Sequence, residues 1–380
     1  MRLGLYVHIP FCRSLCHYCD FPRTLYDPDL AVEFVEALLL EIRRRAGLPS
    51  VRGAVVDTIY FGGGTPTCLP VELLGRIVEA IFENFEVLPG AEFTVEANPE
   101  SATYELLSAL RGMGANRISI GAQTFDPKIL RAIGRIHTPE DVERAVEDAR
   151  RAGFDNLNLD LIYGLPGQTV EGFLSDLDEA LSLGPKHISL YALSLHEGTP
   201  LYERVSRGEA SLPSDDEVAE MFEAARGRLG EEGFSHYEIS NFALPGFECR
   251  HNLKYWLGEP YLGLGPGAWS FINGWRRGNV PDVREYVRLL REGREPVAEV
   301  QRPPRLRRAS ELLILGLRLV GGYDLRLLSR RYGRAILSEF LPELRALSEE
   351  GLLVLEEDVA RLSERAIPVA NRVWARLLRG

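Results

Sequence analysis

DTIYFGGGTPTCLPVELLGRIVEAIFENFEVLPGAEFTVEAN, residues 57–98, holds a β-rich run, a glycine-rich turn, an amphipathic stretch and a second β-rich run. Residues 57–63 and 92–98 are rich in Val, Ile, Phe, Tyr and Thr, whereas Val71 to Phe85 repeats apolar residues at helical spacing. The unit reads strand, helix, strand, which pairs its two strands in parallel. The same alternation extends outward in both directions. Further strand candidates are LYVHI (5–9), RISIGAQ (117–123), NLNLDLIYG (156–164) and HISLYAL (187–193), and amphipathic runs cover Leu30 to Arg45, Tyr104 to Arg111, Glu140 to Arg151 and Val170 to Leu183. Six such units predict an α/β fold with a parallel sheet, either open and doubly wound or closed into a full or partial barrel. In both, ligands gather at the C-terminal ends of the strands.

Past residue 194 the pattern loosens. A helix is expected from Asp215 to Leu229, a strand at HYEISNFA (236–243) and a glycine-rich turn at GLGPGAW (263–269), before QRPP (301–304) marks a linker. Beyond it Ala309 to Val320, Leu325 to Tyr332 and Ala335 to Glu349 read as helices, and GLLVLEEDVARLS (351–363) as a short hairpin. Three segments follow: 1–235, an extension over 236–300 packed on the first, and a mainly helical, winged-helix-like unit over 301–380.

The 380 residues are 45% hydrophobic and 26% charged, an ordinary globular composition, and no apolar stretch reaches the roughly 20 residues that span a bilayer. No apolar leader precedes the first strand, so a cytoplasmic protein is expected. A formal net charge of −11 argues against a nucleic-acid partner, because phosphate binding calls for a basic face. Of five cysteines, three stand at 12, 16 and 19, which reads as metal chemistry rather than a disulfide framework.

Cys12, Cys16 and Cys19 follow the first strand in CRSLCHYC. Three thiolates on one loop can hold a [4Fe–4S] cubane with one iron left open. A zinc site completed by His8 or His17 is the alternative, although structural zinc sites favour CxxC pairs. Gly63, Gly64 and Thr65 end the second strand, where backbone N–H groups can meet a ligand carboxylate or carbonyl. Glu96 ends the third and can accept from a ribose or an amine, or simply cap the next helix. Gln123 ends the fourth strand. Asp160 is a charge within an apolar strand and needs a partner, and Arg135 either supplies that partner as an ion pair or grips a ligand carboxylate. In ECRHNLKYW (248–256), His251 can ligate a heme iron while Tyr255 and Trp256 stack on a flat ring, or the segment is a buried aromatic turn.

YVHIPFCRSLCHYCDF (6–21) resembles the radical S-adenosylmethionine signature, in the form shared by oxygen-independent coproporphyrinogen III oxidases and their relatives. The resemblance continues through GGGTPT, EANP, RISIGAQTF, GRIHT, NLDLIYGLPGQT, SLYALSLHEGTP and YEISNFA to HNLKYW. Within that group the chain is more similar to the heme chaperones of the HemW type. The oxidases carry a fourth cysteine where Phe21 stands and a longer segment ahead of the motif, and HNLKYW matches the HNxxYW element tied to heme. The resemblance implies a partial (β/α)6 barrel with a smaller C-terminal domain, and a cluster on Cys12, Cys16 and Cys19. It implies S-adenosylmethionine lined by Tyr6, Gly63, Gly64, Thr65 and Glu96, with Trp269 near the adenine. Tyr18, Gln123, Arg135 and Asp160 match positions near a second S-adenosylmethionine in the oxidases, and His251, Asn252, Tyr255 and Trp256 match the heme element. Two functions follow. One is heme or porphyrin binding with delivery to a recipient hemoprotein, membrane-associated and respiratory, by a monomer or homodimer. The other is a radical enzyme that decarboxylates a porphyrinogen through a 5′-deoxyadenosyl radical.

Overall fold

Alternation along each strand decides which side chains enter the barrel. The structure, a computed structural model, describes residues 1–379. In β1 (Arg2–Ile9), Leu3, Leu5, Val7 and Ile9 are fully buried in the main apolar core, while Tyr6 points the other way, toward the rings of Tyr60 and His251. The rule repeats in β2 (Val55–Gly63), β3 (Glu86–Ala97), β4 (Arg117–Gln123), β5 (Asn156–Tyr163) and β6 (His187–Ala192). Ile59 and Phe61, Phe93 and Val95, Ile118 and Ile120, Leu157 and Leu159, and Ile188 and Leu190 all join the outer core. The alternate positions carry Tyr60, Glu96, Arg117, Ser119, Asn158, Asp160, His187 and Ser189. An apolar outside faces the helices and a polar inside is left as a chamber.

The six strands run parallel in the order β1 to β6. They do not close on themselves. Beside β1 lies a parallel strand, Tyr261–Leu264, followed by the antiparallel strands Trp269–Ile272, Trp275–Asn279 and Val297–Gln301. Beside β6 lies the antiparallel strand Asn241–Ala243, and Ser235–Glu238 pairs antiparallel to that strand at the sheet edge. The result is a twelve-stranded sheet whose central six strands form a partial barrel.

Helices Pro28–Ala46, Val71–Asn84, Tyr104–Gly112, Pro139–Arg151 and Val170–Ser182 connect the strands. Their starts are written locally. The Asp27 carboxylate accepts from the N–H groups of Asp29 and Leu30, and Thr138 with Asp141 forms a capping box. No helix among the described residues is long and apolar enough to cross a membrane.

HYEISNFA, expected as one strand, is two. Ser240 N–H donates to Glu238 Oε1 at 3.1 Å and the Asn241 amide donates to the same oxygen, which folds the chain back as a hairpin. The C-terminal part holds helices Arg305–Gly316, Leu325–Tyr332, Arg334–Ser338 and Leu341–Glu349. The hairpin expected at 351–363 is present as Leu353–Glu356 and Val359–Leu362, and Tyr323–Asp324 adds a third strand.

Candidate functional site

At the C-terminal ends of β1 to β6 a cavity of about 400 Å³ opens. It is lined by Cys12, Cys16, Tyr18, Cys19, Gly63, Gly64, Thr65, Glu96, Gln123, Arg135 and Asp160, residues far apart in sequence that the barrel mouth gathers together. Tyr6 and Trp269 are not among the lining residues. Tyr6 sits one layer deeper, its hydroxyl 3.1 Å from His8 Nδ1, and Trp269 stands exposed on the added strand Trp269–Ile272. Asn98, Ser119, Tyr191 and His196 also line the cavity. They lie within the EANP, RISIGAQTF and SLYALSLHEGTP stretches without being singled out there as site residues, and the first three continue the alternation that points Glu96, Gly121 and Ser189 inward.

The cysteine loop is held as a closed flap. Phe11–Cys12 pairs with Thr24–Leu25, the Arg23 Nη2 donates to Cys16 O at 3.0 Å, and His17 N–H donates to Ile133 O at 2.9 Å. All three thiols are free. Burial pushes the Cys12 thiol up to about 12 and also raises Cys19, so without a metal these groups stay protonated at neutral pH. Two donors wait for negative sulfur: Thr65 Oγ1 lies 3.7 Å from Cys12 Sγ, and Arg135 Nη1 lies 3.5 Å from Cys16 Sγ. Among the described residues no three His, Cys, Asp or Glu side chains close around one ion position. His8 spends Nε2 on Pro22 O at 2.7 Å and Nδ1 on Tyr6, and neither His8 nor His17 lines the cavity. Three sulfurs on a cavity large enough for more than one ion fit a polynuclear cluster better than a Cys₃His zinc set.

The glycines serve the protein before any ligand. Gly63 has φ +109°, and a Cβ there would stand 2.5 Å from the His8 ring. At Gly64 a Cβ would meet the backbone of Phe11 and Pro10 within 3 Å, so this glycine lets β2 lie against the cysteine loop. The Gly63 N–H donates to Glu96 Oε2 at 3.2 Å, and the Tyr60 hydroxyl donates to Glu96 Oε1 at 2.7 Å. Despite both bonds, burial raises the Glu96 carboxyl to about 7.

Arg135 does not pair with Asp160, which settles the choice left open by the sequence against an ion pair between them. Its guanidinium donates to Asn98 Oδ1 at 2.8 Å and Gly121 O at 2.7 Å, besides Cys16 Sγ. Asp160 is held by neutral donors, Asn158 Nδ2 at 2.8 Å and Ser119 Oγ at 3.2 Å, and burial raises its carboxyl. Gln123 has φ +68°, a left-handed conformation rare for a residue with a side chain, beside a register shift between β4 and β5. Such backbone strain at a cavity rim is typical of ligand sites.

ECRHNLKYW is a helix, Arg250–Trp256, and it plugs the opposite end of the barrel. The Glu92 carboxylate at the base of β3 accepts from the N–H groups of Arg250 at 2.8 Å and His251 at 2.9 Å, a cap supplied from 158 and 159 residues away. Lys254 is buried between Asp57 at 2.8 Å and Glu259 at 2.9 Å. His251 is 1% exposed, with Nδ1 2.8 Å from Thr58 Oγ1 and Nε2 2.9 Å from the Tyr255 hydroxyl. Burial lowers it to about 3, so the ring is neutral, and in this conformation neither nitrogen is open to an iron. Asn252 is half-buried on the same helix, while Tyr255 and Trp256 line a separate cavity against the C-terminal helices.

Residues 6–180 match the radical SAM superfamily, and residues 304–369 match the HemN C-terminal domain. The heme chaperone HemW of Bacillus subtilis is 37% identical over 98% of both chains. That of Lactococcus lactis is 36% identical over 98% of this chain and 96% of its own. Among solved structures, coproporphyrinogen III oxidase (HemN) from Escherichia coli, a radical SAM enzyme, superposes with a TM-score of 0.86 at 25% identity, covering 99% of this chain and 90% of that one.

Proposed function

The chain belongs to the HemW family of radical SAM proteins, and from that premise we propose that it is a heme chaperone which binds heme and hands it to a recipient hemoprotein. The observation that carries this is 37% identity over 98% of both chains with a heme chaperone. Radical SAM membership implies a [4Fe–4S] cluster and S-adenosylmethionine. We assign the cluster to Cys12, Cys16 and Cys19. Gly63, Gly64, Thr65 and Glu96, which line the same cavity, would hold S-adenosylmethionine beside that cluster. Tyr18, Gln123, Arg135 and Asp160 shape the rest of that cavity. The recipient we favour is a membrane-associated respiratory hemoprotein, met from the cytoplasmic side, with a homodimer as the working form.

The likeness to coproporphyrinogen III oxidase supports a second reading, radical chemistry on a porphyrinogen. Two assays on anaerobically reconstituted protein separate the readings. A chaperone retains stoichiometric heme through gel filtration and yields it to an apo-hemoprotein. Conversion of coproporphyrinogen to protoporphyrinogen, with 5′-deoxyadenosine formed in proportion, would overturn the chaperone reading.

A further inference from the structure

Between the Arg250–Trp256 helix and the C-terminal helices lie two adjoining cavities, of about 270 and 280 Å³. They share Phe271, Arg308, Arg331 and Tyr332, so they form one groove, and Tyr255 and Trp256 close its inner side. The groove is therefore built jointly by the HNLKYW helix, the added strand Trp269–Ile272 and the C-terminal domain.

Its lining is aromatic and cationic, with Tyr255, Trp256, Phe271 and Tyr332 beside Arg305, Arg308 and Arg331. The Arg331 guanidinium lies 5.9 Å from the ring centres of both Phe271 and Tyr332 and donates to Gly258 O at 2.9 Å. Arg276 is neutralised by Glu311, and Arg305 donates to Tyr332 O at 3.0 Å. Arg308 lines both cavities, yet among the described residues its side chain has no hydrogen bond or ion pair, and its buried Nε lacks any acceptor. A partly buried guanidinium left without an acceptor is costly unless a ligand supplies one. On a chain of net charge −11 this local excess of arginine selects an anion. Aromatic lining beside an arginine free to take a carboxylate suits an aromatic macrocycle with acidic arms.

We propose that heme docks in this groove, its ring against Phe271 and Tyr332 and a propionate on Arg308. This rests on the heme-chaperone reading above and adds the C-terminal domain as half of the heme site. His251 then acts from behind as a positioning residue that holds Tyr255 through its Nε2.

The test is titration of the full-length reconstituted protein with hemin and with hemin dimethyl ester, whose arms carry no charge, followed by absorbance. Arg308→Ala should weaken hemin about tenfold or more, the loss expected for a charge-assisted hydrogen bond, and leave the ester unchanged. Arg308→Lys should fall between, since it keeps the charge without the fork. Circular dichroism melting of each variant checks that the groove is folded; should Arg308→Ala melt early, Arg308→Lys carries the comparison. Equal hemin affinity in all three proteins, or equal losses for hemin and ester, would overturn the groove while leaving the chaperone reading intact. Failure of the unaltered protein to bind either compound would overturn that reading itself.

Discussion

Inside the barrel the rings of Tyr60 and His251 lie 5.2 Å apart, tilted by 30°. The Tyr60 hydroxyl continues the line to Glu96, at the floor of the cysteine cavity, while His251 continues it to Tyr255 at the groove. The two candidate sites at opposite ends of the barrel are thus joined by a line of four side chains, Glu96, Tyr60, His251 and Tyr255. Occupancy at one end has a short physical route by which to be felt at the other.

Glu96 is the titrating member of that line. Its carboxyl rises from the ordinary 4.5 to about 7, so between those values the folded protein keeps a proton that the unfolded chain has lost. Stability therefore falls as pH rises through this window and levels off above about 7. Glu96→Gln should remove the slope: ligand-free variant and parent melt together at pH 4.5, and the variant melts several degrees higher at pH 8. Parallel melting curves across that range would contradict the assignment.

Arg135 ties the cysteine loop to β4. Arg135→Ala leaves Gly121 O and Asn98 without their donor and Cys16 without its cation, and should cost about 2–4 kcal/mol in denaturant unfolding. Iron bound after reconstitution should drop as well. Arg135→Lys should recover little, because one ammonium cannot reach the three acceptors that the planar fork spans.

Glu92 is the cap of the Arg250–Trp256 helix, and Glu92→Ala orphans two N–H groups, the one at His251 buried. A loss of about 2 kcal/mol is expected, with Glu92→Gln recovering part of it. Hydrogen exchange should rise at Arg250 and His251 specifically. Protection unchanged at those two amides would show that the helix does not depend on this carboxylate.

Gly63→Ala places a Cβ against the His8 ring at a positive φ. It should destabilise by about 2 kcal/mol or more and displace β2 from the cysteine loop. Lower iron uptake with unchanged far-ultraviolet dichroism is the expected signature.

The six parallel strands were legible because each carries its own alternation, a local signal that survives without knowledge of the rest of the chain. The rim residues were legible for the same reason: strand ends are where such folds keep their chemistry, and Cys12, Gly64, Glu96 and Asp160 do meet there. What escaped was set by long-range partners. Nothing near residue 92 announces that Glu92 caps a helix starting at 250, and the Asp57–Lys254 pair spans a similar distance. Arg135 and Asp160 were natural partners by charge, but Asn98 and Gly121 O take the arginine and Ser119 and Asn158 take the acid. The division of the 236–243 strand depended on a single carboxylate, Glu238, turning back on its own chain. The burial of His251, with both nitrogens engaged, could be read only once the base of the barrel was seen.

Heme transfer from the reconstituted protein is the most direct test of the central claim. Protein loaded with one equivalent of hemin, mixed with an apo-hemoprotein, should lose its heme absorbance as the acceptor gains its own. Cys16→Ser, with its cluster iron gone, should transfer more slowly. No heme retained at micromolar concentration, together with protoporphyrinogen formed from coproporphyrinogen, would contradict the account.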